Sequence, residues 1–394
     1  MSFHRSEELR VLHSVTPYLN LTENWIAPQV REVPGVQGRI FCDAVANEDR
    51  FPLPEGSIVD PPAAGWPASL RWRLTARAQA LGRNRLRSEI RVRLWAPSLI
   101  HAHFGPRAWQ TMQLAKRLGI PMVASFYGYD AWQLPAREPA WKDRYEGLFA
   151  FGRFFLVEGP AMGRRLNVLG CPADKILVQR ISVDLAILRF RLRDFTAPLG
   201  VLMVGRFTEK KGLPDGLRAC GFARSRGADL RVTVVGDAIA NDRAGQRIGE
   251  ELRALAQSPE LAGAVRFTGF LPTADTADLM ESMDVLLCPS RHAVSGDAEG
   301  GSPVVLTEAM ASGLFCVGTR HCDIPEVVID GQTGILCDEG DAGAMADALL
   351  WAVRQPSLAA AATMRGRRHI EERFGSHNQL PALRSIYEAV VRKR

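Results

Sequence analysis

Short apolar runs bounded by glycine or proline recur along the chain, with helical spacing between them. In the first half such runs predict strands at 10–15, 38–44, 97–103, 121–130 with a polar tip, 154–157 and 175–181, and helices at about 26–33, 106–118 and from 161. Thr22, followed by Glu23 and Asn24, reads as a helix start. Residues 50–66 are rich in proline and read as a loop. Residues 190–199 read as a linker, and a second series of strands then begins at 201–205, 230–236, 265–271, 285–289, 314–318 and 334–337. Helical patterns lie between those runs, including 272–283 and 341–353, and a last helix spans about 379–391. Strands alternating with helices build βαβ units, hence parallel sheets buried on both faces. The expectation is an α/β chain of two Rossmann-like, doubly wound domains, 1–195 and 196–374, with a C-terminal helix at about 375–394 returning to the first.

Length and composition agree with this picture. The chain has 394 residues, 46% hydrophobic and 23% charged, enough for two cores. No apolar run approaches the ~20 residues of a membrane span, and the first residues lack a signal-peptide core, so a cytoplasmic protein is expected. The seven cysteines lack metal-site spacing and read as reduced thiols; the nearest grouping, Cys316, His321, Cys322 and Cys337, is a poor zinc site. The net charge of +6 is concentrated. Eight arginines, at 71, 73, 77, 83, 85, 87, 91 and 93, crowd one stretch with Trp66, Trp72 and Trp95. That stretch suits anionic lipid head groups or a diphosphate-linked acceptor, and thus contact with the inner face of the plasma membrane. A solvated helix face would show the same pattern. No nucleic-acid motif accompanies it, so nucleic acid is not an expected partner.

One stretch concentrates candidate chemistry. Glu299-Gly-Gly-Ser-Pro-Val-Val-Leu-Thr-Glu308-Ala-Met-Ala-Ser-Gly313 reads as a loop becoming a helix. Gly300 and Gly301 permit close backbone approach to a ligand, Ser302 suits the N-cap, Pro303 the first helical position, and Gly313 the stop. The free amides at the helix start, at about 301–305, favour a phosphate, while Glu299 and Glu308 suit sugar or ribose hydroxyls. A second loop, Gly205-Arg206-Phe-Thr-Glu-Lys210-Lys211-Gly212, places three cations at a strand end, where they suit a diphosphate without needing a metal. In the first half, His101 and His103 share one side of a strand, and His103 and Asp130 both fall at strand ends, where open α/β sheets bind ligands. No dinucleotide-binding glycine motif, P-loop, nucleophile elbow or Asp-x-Asp strand end is present.

These residues together resemble glycosyltransferase family 4, the retaining, nucleotide-sugar-dependent transferases of GT-B fold. Gly205-Arg206…Lys211-Gly212 looks like the loop that holds the donor diphosphate, and Glu299 and Glu308 like the paired glutamates that bind donor sugar and ribose. Phe267-Thr-Gly-Phe270 resembles the strand end that meets the base. Ile100-His-Ala-His103 resembles the strand end whose second histidine faces the reacting centre. Tyr127-Gly-Tyr-Asp130 resembles a further active-site loop. Thr22-Glu23-Asn24-Trp-Ile26 and His321-Cys-Asp-Ile-Pro325 are similar to a branch making exopolysaccharides of the colanic-acid type. The resemblance implies a metal-independent, retaining hexosyltransferase without a cofactor, its donor a UDP-sugar rather than GDP-mannose. His103, Glu299, Arg206 and Lys211 would be catalytic. Phe270, Gly300, Gly301, Ser302, Pro303, Val304 and Glu308 would join in donor binding, and Glu23, Asn24, Tyr127 and Asp130 would face a glycan or polyprenyl-diphosphate-linked acceptor. A catalytically silent nucleotide-sugar binder, a sugar-nucleotide epimerase and an inverting transferase share the architecture. Two departures stand out. Eight residues separate the glutamates, one more than the family's seven, which would shift Glu299. Thr16-Pro-Tyr-Leu-Asn-Leu replaces a Gly-Gly loop.

Overall fold

The computed structural model describes residues 8–20, 23–60 and 83–392. Thirteen strands form two parallel sheets among these residues. The first contains β1 (Leu9–Ser14), β2 (Val36–Cys42), β3 (Ile58–Val59), β4 (Leu99–His103), β5 (Met122–Ser125), β6 (Phe154–Val157) and β7 (Ile176–Val178), in the order β3-β2-β1-β4-β5-β6-β7. The second contains β8 (Leu199–Val204), β9 (Leu230–Val235), β10 (Val265–Gly269), β11 (Val285–Cys288), β12 (Phe315–Thr319) and β13 (Gly334–Cys337), in the order β10-β9-β8-β11-β12-β13. In each sheet the order reverses beside the first strand, creating a crevice at the strands' carboxyl ends.

The near-continuous apolar strands demand cover on both faces. In the first domain, helices Gly105–Leu118, Ala140–Phe151 and Pro160–Val168 supply one layer, with Met112, Tyr145 and Met162 in a core around Ile100 and Ala124. Much of the other face is covered by helix Ser376–Arg392, whose Leu380, Leu383 and Tyr387 pack on Val11, Leu99, Val123 and Leu156. The chain's last helix therefore completes the core of its first domain. In the second domain, helices Leu213–Ser225, Arg243–Ala256 and Ala342–Arg354 cover one face, while Val304–Ala311 and Pro356–Arg373 cover the other.

Most strand positions follow the sequence pattern within a residue or two, but β7 (Ile176–Val178) stops three residues short of the expected 175–181 and β5 (Met122–Ser125) ends well before Asp130. The proline-rich stretch contains the short edge strand β3, paired with β2 through Phe41 and Ile58. The linker is anchored: Arg193 is buried and donates to the carbonyls of Met280 and Met283. Of the arginine-rich stretch, residues 61–82 lie outside the described residues, as does the helix start read at Thr22. What is described is helix Arg83–Trp95, with Ile90 and Leu94 exposed beside Arg87, Arg91 and Arg93. No helix among the described residues is long and apolar enough to cross a membrane.

The two domains meet backbone to backbone. Gly128 (φ +116°) lies against Gly300 (φ +86°), and a Cβ on Gly300 would stand 2.3 Å from Cα of Gly128. Both conformations favour glycine, and neither position has room for a side chain. Asp323 reaches across to cap helix Pro160–Val168, accepting from the amides of Ala161 (2.7 Å) and Met162 (3.2 Å). Arg180 pairs with Glu326 at 2.7 Å, and Asn24 donates to Thr273. Gly128→Val is expected to hold the domains apart, raising the radius of gyration in small-angle X-ray scattering while the far-ultraviolet circular dichroism stays that of wild type. An unchanged radius would show that this contact does not set the closed arrangement.

Candidate active site

The second domain's loops assemble around Glu299. Its carboxylate accepts from Lys211 Nζ at 3.0 Å and from Ser290 Oγ at 2.7 Å, and its backbone N–H donates to His321 Nε2 at 3.1 Å. Burial would raise the Glu299 carboxyl, but the ammonium groups of Lys211 and Lys210 outweigh it and hold the group at about 2. His321 in turn donates from Nδ1 to Glu339 at 2.7 Å. Its Nε2 must therefore be the bare nitrogen, and burial keeps the ring neutral by lowering its pKa despite the pull of Glu339. Four strand ends are tied together in this way: the loops after β8, β11, β12 and β13.

The three cations of the β8 loop divide. Lys210 is buried and donates to Asp297 (3.2 Å) and the carbonyl of Ala298 (3.0 Å). It is not free to meet a diphosphate, a correction to the sequence reading; it secures the chain that presents Glu299. Lys211 holds Glu299 itself. Arg206 is half-buried; its side chain makes no hydrogen bond or ion pair among the described residues, and its charge bears on Glu23 across the cleft. Its guanidinium is thus available to a ligand.

The helix start also differs from expectation. Pro303, with φ −54° and ψ 128°, is the residue before the helix, and Val304 opens Val304–Ala311. Ser302 does not cap; its Oγ is buried without a partner. The cause is the domain contact, since Gly300 and Gly301 lie against Gly128 and Glu158 and carry Ser302 to the interface. Glu308, inside the helix, has no hydrogen bond to its carboxylate among the described residues, and burial pushes it up to about 7. Phe270 projects from the loop after β10 and is 54% exposed.

The first domain places its residues differently. The imidazoles of His101 and His103 lie on one side of β4, 4.2 Å apart, as the i, i+2 spacing requires. His103 is nevertheless fully buried and bonded on both nitrogens, to His13 Nδ1 at 3.0 Å and to the Tyr127 hydroxyl at 2.8 Å. Burial keeps His13, His101 and His103 neutral. Tyr127 therefore stands between His103 and the cleft in this arrangement. Asp130 does not face a ligand: it accepts from the amides of Gly105 (2.8 Å), Tyr127 and Gly128 (both 3.1 Å). It fixes the loop that meets Gly300, and burial raises its carboxyl to about 6 despite those amides. Glu23 accepts from Asn20 at 3.1 Å.

Ser290 and Glu339 carried no motif and were missed, as was Glu158 at the end of β6. The strand-end rule that found Asp130 would have found Glu158 as well. Lys211→Met, which strands Glu299, is expected to cost about 3 kcal/mol at neutral pH in urea denaturation. Because the Glu299 pKa is depressed from 4.5 to about 2, the pair's stabilisation is present above pH 4.5 and lost as pH falls through about 2, so the variant's deficit should shrink over that window. Adding Glu299→Gln should restore part of the loss; a single variant as stable as wild type would refute this account of the pair.

A family of glycosyl transferases, group 1, matches residues 198–355, the segment holding Arg206, Lys211, Glu299 and Glu308. An amylovoran biosynthesis glycosyltransferase of Erwinia amylovora is 31% identical over 294 residues, 74% of this chain and 70% of the relative. A putative colanic acid biosynthesis glycosyltransferase of Salmonella typhimurium is 35% identical over 253 residues, covering 62% of this chain and 59% of that protein's length. Among solved structures, Anabaena HepE in complex with UDP superposes with a TM-score of 0.79 at 16% identity, over 97% of this chain and all of that one. Sucrose-phosphate synthase from Thermosynechococcus elongatus gives 0.78 at 16% identity, over 98% and 100%. Two facing Rossmann-like domains, the loop chemistry around Glu299 and these likenesses converge: the chain belongs to the group 1 glycosyl transferases, in the GT-B fold of glycosyltransferase family 4.

Proposed function

We propose that this glycosyltransferase moves a hexose from a UDP-sugar, with retention, to a hydroxyl of a saccharide or polyprenyl-diphosphate-linked acceptor in exopolysaccharide synthesis. The carrying observation is the preassembled Lys211–Glu299–Ser290 arrangement beside the open guanidinium of Arg206 and the amino end of helix Val304–Ala311. In this reading the positive groups would meet the departing diphosphate as it gathers charge, and fixed donors stabilise such charge without reorganising. With cations and helix amides supplying that charge, the reading calls for no metal and no cofactor. Glu299 and Glu308 would bind hydroxyls of the donor sugar and the ribose. The exopolysaccharide assignment rests on the names of the two bacterial relatives.

In the proposed step the bond from the anomeric carbon to the phosphate oxygen breaks and its electron pair leaves with the diphosphate. The acceptor oxygen bonds to the same face of that carbon, and its proton passes to the leaving phosphate. The centre is oxocarbenium-like in between. Closure of the domains would exclude water. Arg87, Arg91 and Arg93 beside exposed Ile90 and Leu94 support peripheral contact with an anionic membrane, where a polyprenyl-linked acceptor would reside. The eight-residue glutamate spacing favours a second reading, a silent nucleotide-sugar binder.

A thermal-shift screen against UDP, GDP, ADP and their sugar conjugates tests the donor site, since a ligand of the native state raises its melting temperature. UDP and a UDP-sugar should give the largest shifts, diminished in Arg206→Ala and Glu308→Gln. Because Glu308 sits near 7 and ribose hydroxyls favour its charged form, wild-type affinity should tighten as pH rises through about 7, and Glu308→Gln should flatten that dependence. Turnover of the bound donor, with an axial or equatorial linkage matching that of the donor, supports the retaining enzyme. Binding without turnover supports the silent binder, and no shift with any nucleotide removes both.

A further inference from the structure

Glu158, at the carboxyl end of β6, has no part in the step above. It is half-buried, and its carboxylate makes no hydrogen bond with any described residue. Burial and the like charges of Asp323, Glu299 and Asp130 push its carboxyl well above the carboxylate range, and Lys210 opposes them. The neighbouring acids that serve the fold look different: Asp130 and Asp323 each hold backbone amides. An acid placed among acids without a partner is costly, which is typical of groups retained for a ligand.

Glu158 forms the wall between two small cavities. One lies between the domains and is also lined by Arg180, Ser302, Thr307, Asp323 and Glu326. The other enters the first domain and is lined by Gln29, Ser125, Tyr127 and Gln179. Three more polar oxygens around these spaces lack partners among the described residues: Ser302 Oγ in the first, and Oε1 of Gln29 and of Gln179 in the second. The amide of Gln179 is held in place, because its Nε2 donates to the carbonyl of Gln379 at 3.0 Å and to Gln379 Oε1 at 3.1 Å. Oxygens in want of donors thus predominate, and one donor, Arg180 Nε in the first space, is also without a partner among the described residues. Its position relative to the donor loop is close: Glu158 Oε2 is 1.9 Å from where a Cβ on Gly301 would stand. A phosphate would be repelled there, while a hydroxyl supplies the missing donor.

We propose that Glu158, backed by Gln29 and Gln179, is a hydroxyl-binding subsite through which the first domain grips the sugar of the nucleotide-sugar donor. This rests on the donor reading above. Its consequence is a division of recognition: the nucleoside diphosphate is held by the second domain alone, and the sugar requires both domains in their closed arrangement.

Calorimetry with UDP, GDP and ADP and their glucose, galactose and mannose conjugates would compare wild type with Glu158→Gln and Glu158→Leu. Both variants should bind the nucleoside diphosphate within about twofold of wild type, while affinity for its best sugar conjugate falls about tenfold, the loss of one hydrogen bond to a sugar hydroxyl. Without ligand, Glu158→Leu should melt above wild type, because it removes an acid from among acids. Unchanged conjugate affinity in both variants overturns the subsite while leaving the donor reading intact. Equal loss of diphosphate and conjugate, with a lowered melting temperature, overturns it in favour of a structural role. Failure of wild type to bind any of the twelve ligands overturns the donor reading and this subsite together.

Discussion

Four carboxyl groups, Asp130, Glu158, Glu299 and Asp323, converge where the two sheets face each other, and the shape of the cleft depends on how each is compensated. Asp130 takes three backbone amides and so fixes the loop carrying Gly128. Asp323 takes two amides at the start of a helix in the other domain and so ties the domains together. Glu299 takes an ammonium and a hydroxyl. Glu158 takes nothing from the described residues and bears the repulsion of the other three. In a partly dry cleft an uncompensated charge is expensive and a compensated one is a rigid fixture. Three fixtures thus surround one acid poised for a ligand.

The same logic separates two adjacent lysines. Lys210 is turned into the second domain, where Asp297 and the Ala298 carbonyl hold it; Lys211 is turned toward the cleft, where it meets Glu299. The first sets the path of the chain and the second sets the charge of the site. His321 adds a third constraint, since accepting the Glu299 amide on one nitrogen and donating to Glu339 from the other leaves one tautomer. Such prior ordering is what electrostatic stabilisation of a leaving diphosphate requires, because dipoles that need not move cost nothing at the moment of reaction.

The strands, the order of the two domains, the loops bearing Arg206, Lys211 and Glu299 and the helix bearing Glu308 were legible because each rests on local chemistry. An apolar run bounded by glycine has few options but a buried strand, and a parallel sheet places ligand groups at its strand ends. The glutamates and cations were readable as a group because all lie on one domain. The helix start was misread by one residue for a reason outside local chemistry. Ser302 has the composition of a cap, yet Gly300 and Gly301 are held against the other domain, and Ser302 goes with them. His103 kept its predicted side of β4, but its burial beneath Tyr127 depends on His13, ninety residues away.

The sequence by itself determined the alternation of strand and helix, the two-domain α/β architecture and the family, because those follow from periodicity and from residues close together in the chain. Only the tertiary structure decided which of two neighbouring lysines meets Glu299, that Asp130 and Asp323 serve amides, and that Glu158 finds no partner among the described residues. Those outcomes depend on distances between segments far apart in the chain. Whether a charged group is a fixture or a binding group is set by what the fold brings to within a hydrogen bond of it.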